Sequence, residues 1–504
     1  MTIDRTPVLV GSAQLVQRDA ELESALEPLE MLEQVARGAV ADAGCLDAVL
    51  AELDTVALVN TVGWSPQNPA GLVAERLAAK PRALYTSEMG GQIGVTLANL
   101  VCERITRGES RVGLVLGCNN MRTLVQARKA GVELKWTQGG SGEPELVGEI
   151  RRGNSKYESE YGLSSPTQIY PIFENALRAI RRLDLDAHRQ RMGKLFSRFT
   201  EVAARNPYAW FPTYRSPGEL TMVTPGNRMI AFPYPKYLNA VLQTDQAAGL
   251  LILSAEAARA YGIPAERQVH WWGGAKAEEE AWWVSERPDF AACPSLLDST
   301  SGALRNAGLG LDDIDLIDFY SCFPAAVSMA CEMLGLPEDD PRGFTVTGGL
   351  PYAGGPASAY TLHALAAMAD RLRENPGSKG LVTGNGWYLT KHAASVWSTE
   401  PKPGRTPTAE APTPQSSQGI DRAPLAVVKE VQGKGTVEAY TVAYDREGAP
   451  ARGIVLGRQE DGRRFLANTP PDRDLLEAFV AVEQVGRTGK LSHRGGANRF
   501  EPVR

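Results

Sequence analysis

Tyr85-Thr86-Ser87-Glu88-Met89-Gly90-Gly91-Gln92-Ile93-Gly94 leads straight into the apolar run Val95 to Ile105. A loop of small residues that opens a buried helix brings several backbone N–H groups, and the side chain of Glu88, to a helix N-terminus, where negative charge is stabilised. That is the arrangement of an active-site turn. Taken alone, a strand-to-helix connection whose glycines only permit close packing explains the stretch better. Recurrence of the same unit later in the chain is what favours a site.

Working outward, Val8 to Ala13 reads as a buried strand, Leu29 to Ala43 as a helix stopped by Gly44, Asp54 to Asn60 as a second strand and Leu72 to Lys80 as a short helix. After the opening turn and its helix, Val112 to Gly117 forms a further strand ending in Cys118-Asn119-Asn120. The second half repeats this order. Gln268 to Ala275 matches the first strand, Leu296 to Ala307 with Gly308 the first helix and its stop, and Ile314 to Tyr320 the second strand. The glycine-rich Thr347 to Pro356 opens a helix over Tyr360 to Leu372, and Gly380 to Gly386 mirrors the strand ending at Gly117. Any α/β chain repeats strand and helix, but the matched order of the glycine turns points to duplication of one α/β half.

Between the halves, residues 122–254 differ in character, with Tyr170-Pro171-Ile172-Phe173, Asn206-Pro207-Tyr208 and Phe232-Pro233-Tyr234-Pro235. Such an excursion suits a lid or ligand-binding loop domain on a rigid core, and Asp245 begins the apolar stretch that returns to that core. Residues 399–419, with Pro401, Pro403, Pro407, Pro412 and Pro414, read as a linker. Beyond it, Ala423–Val431, Thr436–Tyr444, Arg452–Arg458 and Arg463–Ala467 read as short strands of a small β-barrel. Its arginines are interspersed with acidic residues, so a docking or structural module is expected rather than an oligonucleotide-binding face.

A net charge of -6 gives no bulk attraction to nucleic acid or anionic lipid, and no apolar run reaches bilayer length. Cytoplasmic location is the expectation. The six cysteines lack Cys-x-x-Cys spacing and the five histidines are dispersed, so neither a disulfide framework nor a metal site is expected.

The duplicated half, the mid-chain excursion and four glycine-rich turns together resemble the thiolase superfamily, and more closely its sterol-carrier-protein-2-type members and the bacterial thiolase-like proteins of type 1. The resemblance spans residues 7 to about 398, and an extra C-terminal domain resembles that of the type 1 proteins. It implies an α/β protein with two βαβαβαββ halves layered α/β/α/β/α, a loop-domain insertion and an OB-like barrel. The implied units are 1–121, 122–254, 255–398, the linker 399–419 and 420–504.

In the family, four turns make or break a C–C bond beside a coenzyme A thioester. The nucleophilic Cys of Cys-x-x-Gly is matched by Glu88 in Glu88-Met89-Gly90-Gly91. The Asn or His of the second turn is matched by Tyr320 in Tyr320-Ser321-Cys322-Phe323, the His of Gly-His-Pro by Gly355, and the Cys of Cys-x-Gly by Gly384 in Gly384-Asn385-Gly386. Loss of groups that act as a unit removes ordinary thiolase chemistry.

What the resemblance leaves is a coenzyme A or acyl-CoA ligand, or a related β-dicarbonyl compound, handled by altered acyltransferase, Claisen, retro-Claisen or hydrolytic chemistry. Glu88 would serve as base, Tyr320, His392, Ser321 and Cys322 as auxiliary groups, and the backbone at Gly90, Gly91, Gly355, Gly384 and Gly386 as oxyanion donors. The alternative is a non-catalytic acyl-CoA or lipid binder, or a subunit completing a partner's site. Monomer and homodimer both fit the sequence.

Overall fold

The computed structural model describes residues 4–45, 48–403 and 417–503; the linker prolines Pro407, Pro412 and Pro414 lie outside the described residues. The first half runs β1 (Pro7–Val16), α1 (Pro28–Ala43), α2 (Ala48–Ala51), β2 (Thr55–Leu58), α3 (Pro69–Arg76), β3 (Ala83–Ser87), α4 (Ile93–Arg107) and β4 (Val112–Asn120). The insertion carries α5 (Met121–Ala130), β5 (Glu145–Val147), α6 (Lys156–Glu160), α7 (Pro166–Ile180), α8 (Leu185–Ala203), α9 (Pro217–Thr221) and the paired β6 (Met229–Ala231) and β7 (Tyr234–Pro235). The expected return to the core is β8 (Asp245–Ser254), which lies between β1 and β4 and so belongs to the first half's sheet. After α10 (Ala255–Ala260) the second half runs β9 (Val269–Glu278), α11 (Pro294–Ala307), β10 (Leu316–Asp318), α12 (Pro324–Leu334), α13 (Tyr360–Glu374), β11 (Lys379–Gly386) and β12 (Lys391–Ser398).

The duplication is visible in pairing and in caps. In the first half β2 lies parallel to β4, β4 antiparallel to β8 and β8 antiparallel to β1; in the second, β10, β11, β12 and β9 repeat those senses in that order. Helices α1 and α11 both begin on a proline and end on a left-handed glycine, Gly44 and Gly308, where a backbone without Cβ can turn out of the helix at little cost. Where the first half has β3, the second has a loop that approaches β10 through Phe319 N–H donating to Phe344 O. A short antiparallel contact, Val8 with His270 and Leu9 with Val269, joins the two sheets.

β4 and β8 are buried along their whole length, as strands covered on both faces must be. Helices α4 and α13 pack on each other and touch strands of both halves, α1 covers the outer face of the first half and α11 that of the second. The order of layers is therefore α/β/α/β/α.

The C-terminal part adds β13 (Val427–Val428), β14 (Gly433–Tyr444), β15 (Pro450–Gln459), β16 (Arg464–Asn468), α14 (Arg473–Ala481), β17 (Thr488–Arg494) and β18 (Ala497–Pro502). Pairing runs β14–β15–β16–β18–β17 and back to β14, with only the β16–β18 contact parallel, and the helix lies between the third and fourth strands. This is the closed five-strand connectivity of an OB-fold. Alternation along its strands sorts side chains between two interiors. Val455, Phe465, Ala467 and Tyr440 fill the barrel, whereas Ile454, Leu456, Leu466 and Ala439 belong to the core of the layered part. The face of strands two and three, on which OB-folds commonly bind oligonucleotides, is thus covered by the chain itself. The insertion completes this joint, since Ala231 of β6 pairs with Ala443 of β14.

Candidate functional site

Glu88 follows β3 directly and is 4 % exposed. Its carboxylate is fully engaged. Oε2 lies 2.6 Å from Lys391 Nζ and accepts the N–H of Glu149 at 3.1 Å, while Oε1 accepts from Gln92 Nε2 at 2.9 Å. The Glu88 N–H donates to Val147 O at 3.0 Å. Segment 147–149 therefore closes on the turn like a strap. Gly148, at φ +98, is needed there because a Cβ would sit 2.3 Å from Glu88 Cδ. Lys391 is 1 % exposed, donates to Met89 O at 2.9 Å, and places Nζ 5.9 Å from the Trp282 ring centroid. Burial pulls its pKa below the usual lysine value against the pull of Glu88.

The four turns do meet, but the space between them is filled. Tyr320 lies over Gly91 so closely that a Cβ on Gly91 would be 2.2 Å from its hydroxyl oxygen, and its ring stands edge-on to Tyr360. Burial raises the Tyr320 phenol well above its usual pKa. Gln92 fills the other side: Cβ atoms on Gly90 and Gly386 would lie 2.2 and 2.0 Å from its Oε1, and one on Gly384 would lie 2.5 Å from its Cα. A cysteine at position 384 has no room in this packing. Of the expected backbone donors, Gly90 N–H donates to Ser358 Oγ at 3.0 Å and Gly355 N–H to Val241 O at 2.9 Å, so both are spent within the protein.

The remaining predicted residues divide. Ser321 and Cys322 are buried behind Tyr320, next to the stacked pair Tyr170 and Phe323, and burial pushes the Cys322 thiol up to about 12. Asn385 donates to Tyr170 Oη at 2.9 Å, which ties the fourth turn to the insertion. His392 does not join Glu88. Neighbouring strand residues point to opposite faces, so while Lys391 reaches the turn, His392 meets Cys293 Sγ at 3.2 Å at the start of α11 on the outer face. Lys391 is the partner that sequence reading missed, although this alternation within Lys391-His392 was the signal that separates the two.

Burial lowers His392 to about 4 and His363 to about 3. Both folded values lie below the unfolded one of about 6.5, so the unfolded chain takes up protons first. Stability is therefore full above about pH 6.5 and is lost as pH falls toward 4. Asp318, raised by burial to about 6, acts in the opposite sense between about pH 6 and its usual 3.8 and offsets part of one histidine. The urea midpoint is expected to decline from pH 7 to pH 5 and to decline less in His392→Gln; an unchanged midpoint in the wild type contradicts the assignment.

Outside the filled interior a cleft of about 600 Å³ reaches the turn. Glu88, Met89 and Ser87 form part of its lining, Trp64, Trp387 and Ile150 supply apolar surface, and Arg151 and Arg152 are exposed along it. Trp387 is held at φ +55, a conformation that costs a side-chain-bearing residue roughly 1–3 kcal/mol, and its buried indole N–H has no hydrogen-bond partner among the described residues.

Residues 418–495 match the family described as thiolase-like protein type 1 additional C-terminal domain. The crystal structure of a monomeric SCP2-thiolase like protein type 1 from Mycobacterium smegmatis is 34 % identical, with 100 % of both chains covered and a TM-score of 0.82. An acetyl-CoA acetyltransferase from Syntrophomonas wolfei, 14 % identical over 79 % of this chain and 100 % of its own, has a TM-score of 0.55 and shows the shared fold alone. No curated protein matches. With identity of that order over its whole length, layered halves and barrel together, the chain belongs to the SCP2-thiolase-like proteins of type 1.

Proposed function

We propose that this protein binds an acyl-CoA in the cleft beside Glu88 and does not run the thiolase reaction. The observation that carries the reading is the cleft itself, which borders the first turn while the interior between the turns is occupied. Its volume is that of a small-molecule site. Arg151 and Arg152 suit phosphate oxygens, the tryptophans suit an apolar arm, and the unpaired Trp387 N–H suits an amide carbonyl. The coverage of the β3 edge by β5, together with the relative described as monomeric, supports a monomer.

Calorimetry with coenzyme A and a short acyl-CoA is expected to show binding that Trp387→Ala weakens about tenfold, the loss of one good contact of about 1.4 kcal/mol. No heat of binding at millimolar ligand removes the proposal. A second reading, acid–base chemistry by the Glu88–Lys391 pair, is favoured by the lowered Lys391 pKa and by Glu88 bordering the cleft. Turnover of acyl-CoA or β-ketoacyl-CoA by the pure protein that Glu88→Gln abolishes would establish it in place of the first.

A further inference from the structure

A second cleft, of about 570 Å³, opens where the insertion meets the barrel and shares no lining residue with the cleft at Glu88. Met192 of α8, Met229 of β6, Phe232 and Val480 of α14 give it apolar walls, and Arg178 and His188 line it as well. Both polar residues are at least 99 % buried, at 0 % and 1 % exposure. Arg178 donates from Nε and Nη2 to the Glu483 carboxylate at 3.0 and 2.7 Å, which leaves Nη1 without a hydrogen-bond partner among the described residues. His188 places Nε2 2.8 Å from Glu174 Oε1 without the alignment of a hydrogen bond, so neither ring nitrogen has a hydrogen-bond partner among the described residues.

A buried polar atom left unpaired costs about 1–3 kcal/mol, and two side chains with such atoms among the residues lining one apolar cleft call for a ligand that supplies missing bonds to both. The Glu174 carboxylate beside Nε2 favours the ring proton on that nitrogen, which leaves Nδ1 as the acceptor, and Arg178 Nη1 donates. A primary carboxamide has the matching donor and acceptor. Charge argues the same way. Arg178 is already neutralised by Glu483, Arg189 pairs with Asp186 at 2.9 Å, and Arg191, which stands 3.8 Å from Glu174, is also engaged by Glu338, so a carboxylate head finds no uncompensated cation among these residues and an ammonium head meets the Arg178 guanidinium. Thioether side chains adapt to a flexible alkyl chain.

We propose that this cleft is a binding site for a medium-chain acyl compound with an uncharged amide head, held between the insertion and the C-terminal barrel. The barrel helix α14 supplies one wall through Val480, so the additional domain completes the site.

The test is calorimetry of the full-length chain with octanamide, octanoate and octylamine. Octanamide is expected to bind on the order of 100 µM, within the range open to so small a ligand, and the two charged analogues at least tenfold more weakly. Val480→Trp, which fills the cleft, and Met222→Arg at its exposed rim are each expected to lower octanamide affinity at least tenfold, with thermal unfolding and coenzyme A binding unchanged. Equal or tighter binding of octanoate, no octanamide binding at 1 mM, or wild-type affinity in Val480→Trp and Met222→Arg overturns the proposal. Coenzyme A binding that fails while octanamide binding persists counts against the cleft at Glu88 alone.

Discussion

Lys391→Met is expected to destabilise the protein by about 3–5 kcal/mol, the usual consequence of removing one partner of a buried ion pair. Both side chains are nearly inaccessible, at 1 and 4 % exposure, so water does not replace the lost ammonium. Two dipolar donors, Gln92 Nε2 and Glu149 N–H, would remain on the carboxylate and temper the loss. The double variant Glu88→Gln with Lys391→Met is expected to recover most of it, because neither charge is then left alone. Urea unfolding of the two single variants and the double closes the cycle. A single variant as stable as wild type would show that the pair is not buried as described. In Glu88→Gln, amide exchange over residues 147–149 is also expected to quicken, since the strap loses the charge to which the Glu149 N–H is bound.

Leu466→Asp is the second change with a large expected effect. Leu466 points away from the barrel interior into the layered core, where it lies with Ile454, Leu456 and Ala439. Removing its apolar surface forfeits about 2 kcal/mol, and burying a carboxylate there without a partner adds several more. The barrel is expected to come away from the core. Its own interior, with Val455, Phe465 and Phe500, stays intact in this variant. Hydrogen exchange is therefore expected to rise first along β15 and β16 and in the facing segment 156–161, with the barrel's far strands protected. Loss of protection spread evenly through the barrel would contradict the division of its faces. Val455→Asp, one residue from Ile454, is expected to give that second pattern.

Much of this architecture was legible from the chain. Repeated glycine stops after α1 and α11, and polar turns after β2 and β10, carry the duplication because each is a local backbone requirement. What escaped is set by long-range contact. Lys391 reaches Glu88 across 303 residues, and nothing near either residue announces the other. The strap strand β5 is three residues long, too short for periodicity to separate from loop. Helix α14 and strands β17 and β18 were also unread, as their 473–502 span mixes charged and apolar residues without a clean period. The filled interior is a matter of how Tyr320 and Gln92 pack against glycines from other turns. Glycine spacing signals a close approach, but not which side chain comes close.

The pairing of Ala231 with Ala443 has a consequence for how the chain is made. The hairpin of β6 and β7 leaves the ribosome about two hundred residues before the strand that completes its sheet, and the layered core that Ile454, Leu456 and Leu466 join is likewise synthesised before them. Until the last segment arrives, the layered halves carry an open strand edge and an uncovered apolar face, the two features that promote association of nascent chains. The C-terminal barrel is thus a closing piece as much as an appended domain, and a chain ended at residue 398 is committed to exposing the surface that the barrel was built to cover.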